Sequence, residues 1–406
     1  MNKNFYIYIA GRFTSGFGDS IQIIGFPLLI LDLYGSAKIM ALATTVIMIT
    51  EIMIRPFLGV IADNLNRKKL MINTDILSGL LCLIMAFVAY KDMLSLPIII
   101  IYLVIQSFVS TLFDSASYAL MPELVEDKKL EKAYSYMTLI NNISSISGPI
   151  IGTMLYSFLG IKILLLINGI SFLISAVTEI LIKYTYNKNG KTQNILKIKY
   201  IKKIKDGFVY MLKSKKIKYV VSVSMINSFF IIIPISQYFA FFFKENGFEN
   251  YYVGIASSVM TAGSLIGAAM IIFIKKNFNN KKSFVVSFII FSISFILFGI
   301  TLGINMQNEL FKFIILSICL FINSFFMLSS NVIVNSAFQR SLPNEMRARI
   351  GSFRYLTMQI AMLLSVIFGG FLLDSKGSVV YILSFGFIYL FIILFFIFPR
   401  YKVLQS

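Results

Sequence analysis

Some of the charged and amide residues in this sequence lie inside long apolar stretches, where a charge is costly and is usually paired or functional. Asp19 lies about fourteen residues into the first apolar stretch, and Ser15 and Gln22 lie about one helical turn to either side of it. A carboxylate there could hold a proton or a cationic substrate. We therefore predict a proton or cation-substrate site at Asp19 and Gln22; the alternative is an aspartate that ties the first helix to a neighbour.

A second set of charges lies in the second and fourth apolar stretches. Glu51 and Arg55 are four residues apart, so they share one helix face and could simply neutralise each other. Asp114, toward the end of the fourth stretch, could compete for Arg55 and leave Glu51 free to take up a proton. We predict that these three residues form a switching network, although the sequence leaves open which pair forms.

The second half of the chain carries mostly uncharged polar groups in its apolar stretches. Asn331 and Asn335 share a helix face because they are four residues apart. Such side chains could line a cavity or merely join helices, and both roles stay open at this stage. The candidates for a cavity lining are Gln237, Tyr238, Asn323, Asn331, Asn335 and Gln359.

No feature of the sequence indicates an enzyme or a bound metal. The chain has no histidine, the commonest metal ligand and the usual proton shuttle at neutral pH. It also lacks the H-E-x-x-H, G-x-S-x-G and P-loop motifs. Cys82 and Cys319 both fall inside apolar stretches, so no disulfide framework is predicted. We expect no cofactor, no metal and no enzymatic activity.

The apolar stretches that carry these residues dominate the chain. Of 406 residues, 58% are hydrophobic and only 14% are charged, against about 25% charged in soluble domains. Runs of roughly 20 apolar residues predict an all-α membrane protein. We expect twelve transmembrane helices in two six-helix halves, 1–183 and 219–406, around a linker, 184–218, with an amphipathic helix at 195–212. The predicted spans are 5–33, 37–61, 70–90, 96–118, 133–158, 162–183, 219–243, 251–274, 283–304, 310–337, 352–373 and 378–399.

The positive charge predicts the orientation of these spans. Most of the 37 lysine and arginine residues fall on one side of the membrane if the N-terminus is cytoplasmic. By the positive-inside rule, both termini are then cytoplasmic. The net charge of +19 would meet anionic lipid at the inner face, and its spread over the loops argues against nucleic-acid binding. The first apolar run lacks a cleavage site, so we expect it to stay as a membrane span.

A compact polar turn, "GVIADNLNRKKLM", separates the second and third spans. A carboxylate at Asp63 can accept hydrogen bonds from a helix N-terminus, and Arg67 and Lys68 can meet carboxylates or lipid phosphates. The alternative is a charged loop that only sets topology. The pattern G-x-x-x-D-x-x-x-R-K, read as Gly59, Asp63, Arg67 and Lys68, resembles the signature loop of the major facilitator superfamily. The resemblance implies that Asp63 latches the outward-open state and that the motif gates transport.

Further stretches carry the same resemblance. "SISGPIIGTML" resembles the exporter-associated G-P-x-x-G element of that family, through Gly148, Pro149 and Gly152. Ser144, Gly148 and Gly152 recur every four residues, so they form one smooth helix face, and Pro149 bends the helix. Ordinary helix packing would account for the same pattern. "SGFGDSIQIIGFPLLILDLYGSA", "LPNEMRARIGS" and "YYVGIASSVMTAGSLIGAAM" resemble the macrolide-efflux and enterobactin-exporter-like branch, although an arginine that many drug antiporters carry in the fourth span is missing.

The resemblance implies a secondary transporter of the bacterial cytoplasmic (inner) membrane. We expect a monomer that exports a hydrophobic or amphipathic small molecule, such as a drug, in exchange for protons. With 40 Phe, 21 Tyr and 19 Met, the chain can build an adaptable apolar pocket. A proton-coupled uptake symporter, or a siderophore or metabolite exporter, of the same fold is the nearest alternative. A membrane channel or scaffold is an alternative of a different class.

Overall fold

The computed structural model describes residues 2–184, 214–232, 237–277, 280–340 and 347–400, together with 234 and 342. The first part of the chain forms seven α-helices, and short 3₁₀ turns at Met121–Leu124 and Asp127–Lys129 join the fifth to the sixth. The helices are α1 Lys3–Gln22, α2 Gly25–Tyr34, α3 Ala37–Asn64, α4 Arg67–Tyr90, α5 Leu96–Leu120, α6 Leu130–Leu159 and α7 Ile161–Ile180.

The second part of the described chain is also helical. It contains two π-helical segments, Ser228–Ile232 and Ile393–Ile397. At Gly377 the backbone leaves the helical conformation, with φ 80° and ψ 170°, and this breaks the last long helix into two spans. Glycine adopts such a positive φ without steric cost. The helices are α8 Lys215–Asn227, α9 Phe239–Glu245, α10 Asn250–Asn277, α11 Asn280–Gly303, α12 Glu309–Arg340 and α13 Arg347–Ile392.

These elements confirm the predicted all-α fold of twelve spans. Nine stretches of the described residues are long and apolar enough to cross a membrane, and one of them, Phe353–Ile397, contains the break at Gly377 and so counts as two spans. The more polar α6 and the interrupted segment from α8 to α9 bring the number to twelve. The predicted amphipathic helix at 195–212 lies outside the described residues.

The first and seventh spans are interrupted, whereas hydropathy predicted continuous helices at 5–33 and 219–243. In the first span the chain turns at Ile23 and Ile24, between α1 and α2. Pro27 lacks the N–H group that would bond to the Ile23 carbonyl, so the helical ladder is open at that point. In the seventh span the π-helical segment Ser228–Ile232 precedes Pro234. Hydropathy counts apolar side chains and is insensitive to a missing backbone donor.

The described residues form two compact units. Unit 1 comprises 2–35, 43–184 and 253–258, and unit 2 comprises the remaining described residues. Aromatic rings fill the interior of unit 2: Phe229 stacks on Phe385 at 5.7 Å between ring centroids, and Tyr381 lies 4.3 Å from Phe385. The Tyr389 hydroxyl donates a hydrogen bond to Asn227 Oδ1 at 2.8 Å.

Glycines let the helices of unit 1 approach closely, as is typical of helix packing in membranes. Gly79 of α4 and Gly169 of α7 face each other, and a Cβ built on either would lie 3.1 Å from the carbonyl oxygen of the other. On α1, a Cβ on Gly11 would collide with Thr178 Oγ1, and one on Gly18 would collide with Ser171 Oγ and Asn168 Oδ1. The polar side chains of α1, α4 and α7 are therefore held close together.

A comparison of two glycines of α1 tests this packing. Gly18→Ala would push α1 away from α7, and we expect it to lower the free energy of unfolding by about 1–3 kcal/mol, the usual cost of overpacking. Gly16→Ala is the matched control, because nothing lies within 4 Å of its built Cβ. We expect that variant to match or exceed the wild type, since alanine favours helix by up to about 1 kcal/mol. Equal unfolding curves of the two variants in detergent would contradict close α1–α7 contact.

Candidate functional site

Asp19, on the last turn of α1, belongs to a polar network that joins four helices of unit 1. Asn168 Nδ2 of α7 donates hydrogen bonds to Asp19 Oδ1 at 3.1 Å and to Gln22 Oε1 at 2.7 Å. Gln22 Nε2 donates to the hydroxyl of Tyr102 on α5 at 3.1 Å. Cys82 Sγ of α4 lies 3.1 Å from the same hydroxyl. The structure therefore brings the two predicted residues together through a third side chain.

The members of this network differ in exposure, and the difference bears on their chemistry. Asn168 is completely buried and Gln22 is 8% exposed, whereas Asp19 keeps an exposed surface although protein surrounds it on most sides. The buried Asn168 amide holds one carboxylate oxygen in place, while the other side of the group can reach a proton or a cationic ligand. The break at Ile23 and Ile24 comes directly after Gln22. In many transporters the binding site is formed by interrupted helices at corresponding positions of the two halves.

Arg12, two turns before Asp19 on α1, forms an ion pair with a carboxylate of α5. Its Nη1 lies 3.6 Å from Asp114 Oδ1 of α5, and its guanidinium lies 4.9 Å from the centre of the Phe113 ring. The sequence suggested Arg55 as a possible partner for Asp114, and the Arg55 side chain lies outside the described residues. Glu51 accepts a hydrogen bond from Ser107 Oγ at 3.4 Å. The predicted switching network stays a prediction, with Arg12 added as a partner of Asp114.

Two further carboxylates in unit 1 were not among the residues predicted from the sequence. Asp75 of α4 is 1% exposed and Glu179 of α7 is 2% exposed. Neither accepts a hydrogen bond from the residues that the structure describes. The signal that pointed to Asp19, a charge inside an apolar span, applies equally to these two residues and could have found them. Arg12 interacts electrostatically with both.

Two of the three cations of the polar turn bind within unit 1. Arg67 donates to the Ala119 carbonyl at 3.2 Å and forms an ion pair with Glu123. Lys68 Nζ donates to the carbonyls of Ile180 and Ile182 at 2.8 and 2.7 Å, at the end of α7. These bonds tie the start of α4 to the ends of α5 and α7. The described side chains do not include Gly59 and Asp63, so the latch role of the motif stays a prediction.

The small-residue face of α6 packs against α1 directly after Asp19. Cβ atoms on Gly148 and Gly152 would collide with Ser20 and with the Ile21 carbonyl oxygen, respectively. Ser144 and Pro149 are buried on the same helix. The motif thus fixes the part of α1 that carries the polar network. Its predicted role in limiting leak stays a prediction.

On α10, a small-residue contact within unit 1 reaches the other side of α6. Ser258 Oγ donates to the Ile146 carbonyl at 2.5 Å. A Cβ on Gly254 would lie 2.7 Å from the Pro149 carbonyl oxygen. Helix α6 is therefore in tight contact on two sides, with α1 and with the start of α10.

The uncharged candidates in unit 2 fall into two groups. Tyr238 is completely buried, and its hydroxyl donates to the Val366 carbonyl. Asn323 is 1% exposed, and its Nδ2 donates to the Phe291 carbonyl at 3.3 Å. These two side chains join helices, one of the two roles that the sequence left open. The candidates with accessible surface are Gln237, Asn331, Asn335 and Gln359, the last of which donates to Tyr355 OH at 3.1 Å.

Replacing Lys68 tests the tie between α4 and α7. Lys68→Met keeps the length of the side chain but removes the hydrogen bonds to the carbonyls of Ile180, at the end of α7, and Ile182, just beyond it. We expect a loss of about 1–3 kcal/mol in the free energy of unfolding and faster hydrogen exchange at the end of α7. Lys69→Met is the matched control, because Lys69 is exposed. The same exchange rates in both variants would rule out this tie.

The chain resembles bacterial efflux and exporter proteins in sequence and a solved transporter in fold. The chain is 23% identical to macrolide efflux protein A of Streptococcus pyogenes over 370 residues, covering 90% of this chain and 89% of that protein. It is 25% identical to the putative bacilysin exporter BacE of Bacillus subtilis (strain 168) over 309 residues, 74% of this chain and 73% of that protein. The crystal structure of a bacterial homologue of the iron transporter ferroportin in an inward-facing state superposes with a TM-score of 0.77, at 17% identity, covering 100% of this chain and 99% of that one.

The family follows from a match that spans most of the chain. The model of the Major Facilitator Superfamily matches residues 8–276, which include most of α1, all of α2 to α9 and most of α10. The twelve spans and the absence of enzyme motifs from the sequence agree with that match. This chain is a multi-pass membrane transporter and belongs to the Major Facilitator Superfamily.

Proposed function

We propose that this transporter exports a hydrophobic or amphipathic small molecule, such as a macrolide-like drug, in exchange for protons. The observation that carries the proposal is the exposed Asp19 carboxylate, held by Asn168 beside the break in the first span. The similarity to macrolide efflux protein A over nine-tenths of the chain supports the direction of transport. The protein acts as a monomer in the bacterial inner membrane with both termini in the cytoplasm.

The geometry supports competition between a proton and the substrate at Asp19. When Asp19 is ionised, it accepts a hydrogen bond from Asn168 and can attract a cationic or dipolar part of a substrate. When a proton binds, the carboxyl group loses its charge and its attraction for the substrate falls. Asn168 stays bonded to Gln22 at 2.7 Å in either case, so the site keeps its shape. Alternating exposure of such a site to the two sides of the membrane gives antiport.

Export of a polar metabolite is the second candidate function. It is favoured by the similarity to the putative bacilysin exporter BacE, which covers 74% of this chain. The polar network of Asp19, Asn168 and Gln22 can bind a zwitterion as readily as an amphipathic drug, because it offers both a carboxylate and amides. A panel that contains macrolides, lipophilic cations and small peptides separates the two candidates.

Asp19→Asn tests the role of the carboxylate. The asparagine side chain keeps the size and the acceptor oxygen for Asn168 but cannot bind a proton. In vesicles of reconstituted protein, we expect substrate movement driven by a pH gradient to fall at least tenfold. Binding of an uncharged macrolide should change by less than threefold, because the apolar contacts are untouched. Asp92→Asn is the control, since Asp92 is an exposed loop residue.

Three results would contradict the proposal. Transport by Asp19→Asn at the wild-type rate would exclude this carboxylate from coupling. Substrate that moves across the membrane in the same direction as the protons would show uptake by symport in place of export. A flux that neither saturates nor responds to the pH gradient would indicate a channel.

A further inference from the structure

A buried acidic pair on α4 and α7 has no role in the function proposed above. Asp75 and Glu179 are 1% and 2% exposed, and none of their four carboxylate oxygens accepts a hydrogen bond from the described residues. Ser175, one turn before Glu179, is completely buried, and its hydroxyl faces Asp75 without reaching hydrogen-bond geometry. Three polar side chains without well-formed hydrogen bonds thus lie in one buried part of unit 1.

Two ionised carboxylates in such a place would be very unfavourable. An unpaired buried charge costs several kcal/mol, and such groups are normally paired, hydrogen-bonded or neutralised by a proton. The cation that interacts with both acids is Arg12 of α1. Arg12 also pairs with Asp114 at 3.6 Å, so its single charge is divided among three acids.

The other charged and titratable groups around this pair come from α1 and α5. Helix α1 contributes Tyr8 and Asp19 in addition to Arg12. Helix α5 contributes Asp114 and Tyr118, which interact with Arg12. Tyr8 is held by Ser117, 2.7 Å from its hydroxyl. Since Arg12 is the cation in this set, the surroundings can neutralise one carboxylate but not two. The remaining negative charge needs a proton.

We propose that Asp75 and Glu179 form a proton-binding site inside unit 1, separate from Asp19, with Arg12 as the cation that responds to its occupancy. A proton from a hydronium ion binds to one carboxylate oxygen, an O–H bond forms, and water leaves. With the proton bound, Arg12 pairs with Asp114. When the proton leaves, the pair carries two negative charges and draws Arg12 away from Asp114.

The packing of α1 gives this charge movement a mechanical consequence. Gly11, beside Arg12, is in tight contact with Thr178 of α7, one residue before Glu179. A shift of Arg12 toward the acids therefore acts on the α1–α7 contact. The coupling of this shift to transport rests on the function proposed above, whereas the proton site itself does not.

Infrared spectroscopy of the full-length protein in phospholipid vesicles tests the site, with protons as the only ligand. Spectra are recorded without substrate from about pH 5 to about pH 9, the range in which buried acids of this kind titrate. We expect a C=O stretching band of a protonated carboxyl group that persists at neutral pH. Asp75→Asn and Glu179→Gln should each remove or shift this band. Arg12→Gln should strengthen it at the alkaline end of the range, because the nearby cation is lost.

Control variants distinguish this pair from the other carboxylates of the chain. Glu245→Gln removes an exposed carboxylate that accepts a hydrogen bond from Ser378 N at 2.7 Å, and it should leave the band unchanged. Asp19→Asn should leave the band of this pair in place and remove only the carboxyl signal of Asp19 itself. Asn and Gln keep the volume of the acids, and Glu179→Asp, which retains a carboxyl group, should restore a band if Glu179→Gln does not fold.

The possible outcomes either support or overturn the proposal. A band that is the same in wild type, Asp75→Asn and Glu179→Gln would show that this pair holds no proton. A band that disappears on adding sodium at constant pH would show that a sodium ion is the true occupant. Because no substrate is present, the spectra do not depend on export. If the wild-type protein shows the carboxyl band of this pair but exports no substrate, only the proposed function is overturned.

Discussion

The contact between α1 and α7 is the constraint on which the rest of unit 1 depends. Polar groups in the apolar layer of a membrane have no water to bond with, so they must find partners on neighbouring helices. Gly11 and Gly18 lie seven residues apart on one face of α1, and both lie directly against polar side chains of α7. This approach brings Asn168 within 3.1 Å of Asp19, a distance that a bulkier residue at position 18 would not allow.

A proline lies in both the first and the seventh span, and the surroundings of the two spans differ. Pro27 and Pro234 each lack the backbone donor that a continuous helix needs. Beside the break in unit 1 lie amides, a hydroxyl and a carboxylate. Beside the break in unit 2 lie the rings of Phe229 and Phe230, with centroids 4.8 Å apart. Charged and amide groups thus lie beside the join of α1 and α2 in unit 1, and aromatic rings lie in the π-helical segment of unit 2.

Hydropathy and residue spacing were enough to predict the twelve spans and the proximity of Asp19 and Gln22. They were not enough to predict Asn168 and Tyr102, because the register between distant helices depends on which glycines face each other. Arg12 was not among the residues predicted from the sequence, yet it pairs with Asp114. Asp75 and Glu179 were not predicted, although the signal that pointed to Asp19, a charge inside an apolar span, applies to them as well.

The positions of Arg12 and Asp19 suggest why one helix serves both charged sites. Seven residues make two turns, about 10 Å along the helix, so both side chains leave α1 on the same side. Asp19 meets Asn168 of α7 at one level, and Arg12 interacts electrostatically with Glu179 of α7 at the other. A proton gained at either level changes the charge balance across the same helix pair. Because Pro27 leaves the Ile23 carbonyl without its usual helical donor, the join between α1 and α2 is the weakest point of this span. Proton binding and substrate binding can then be linked by a small movement of α1 against α7.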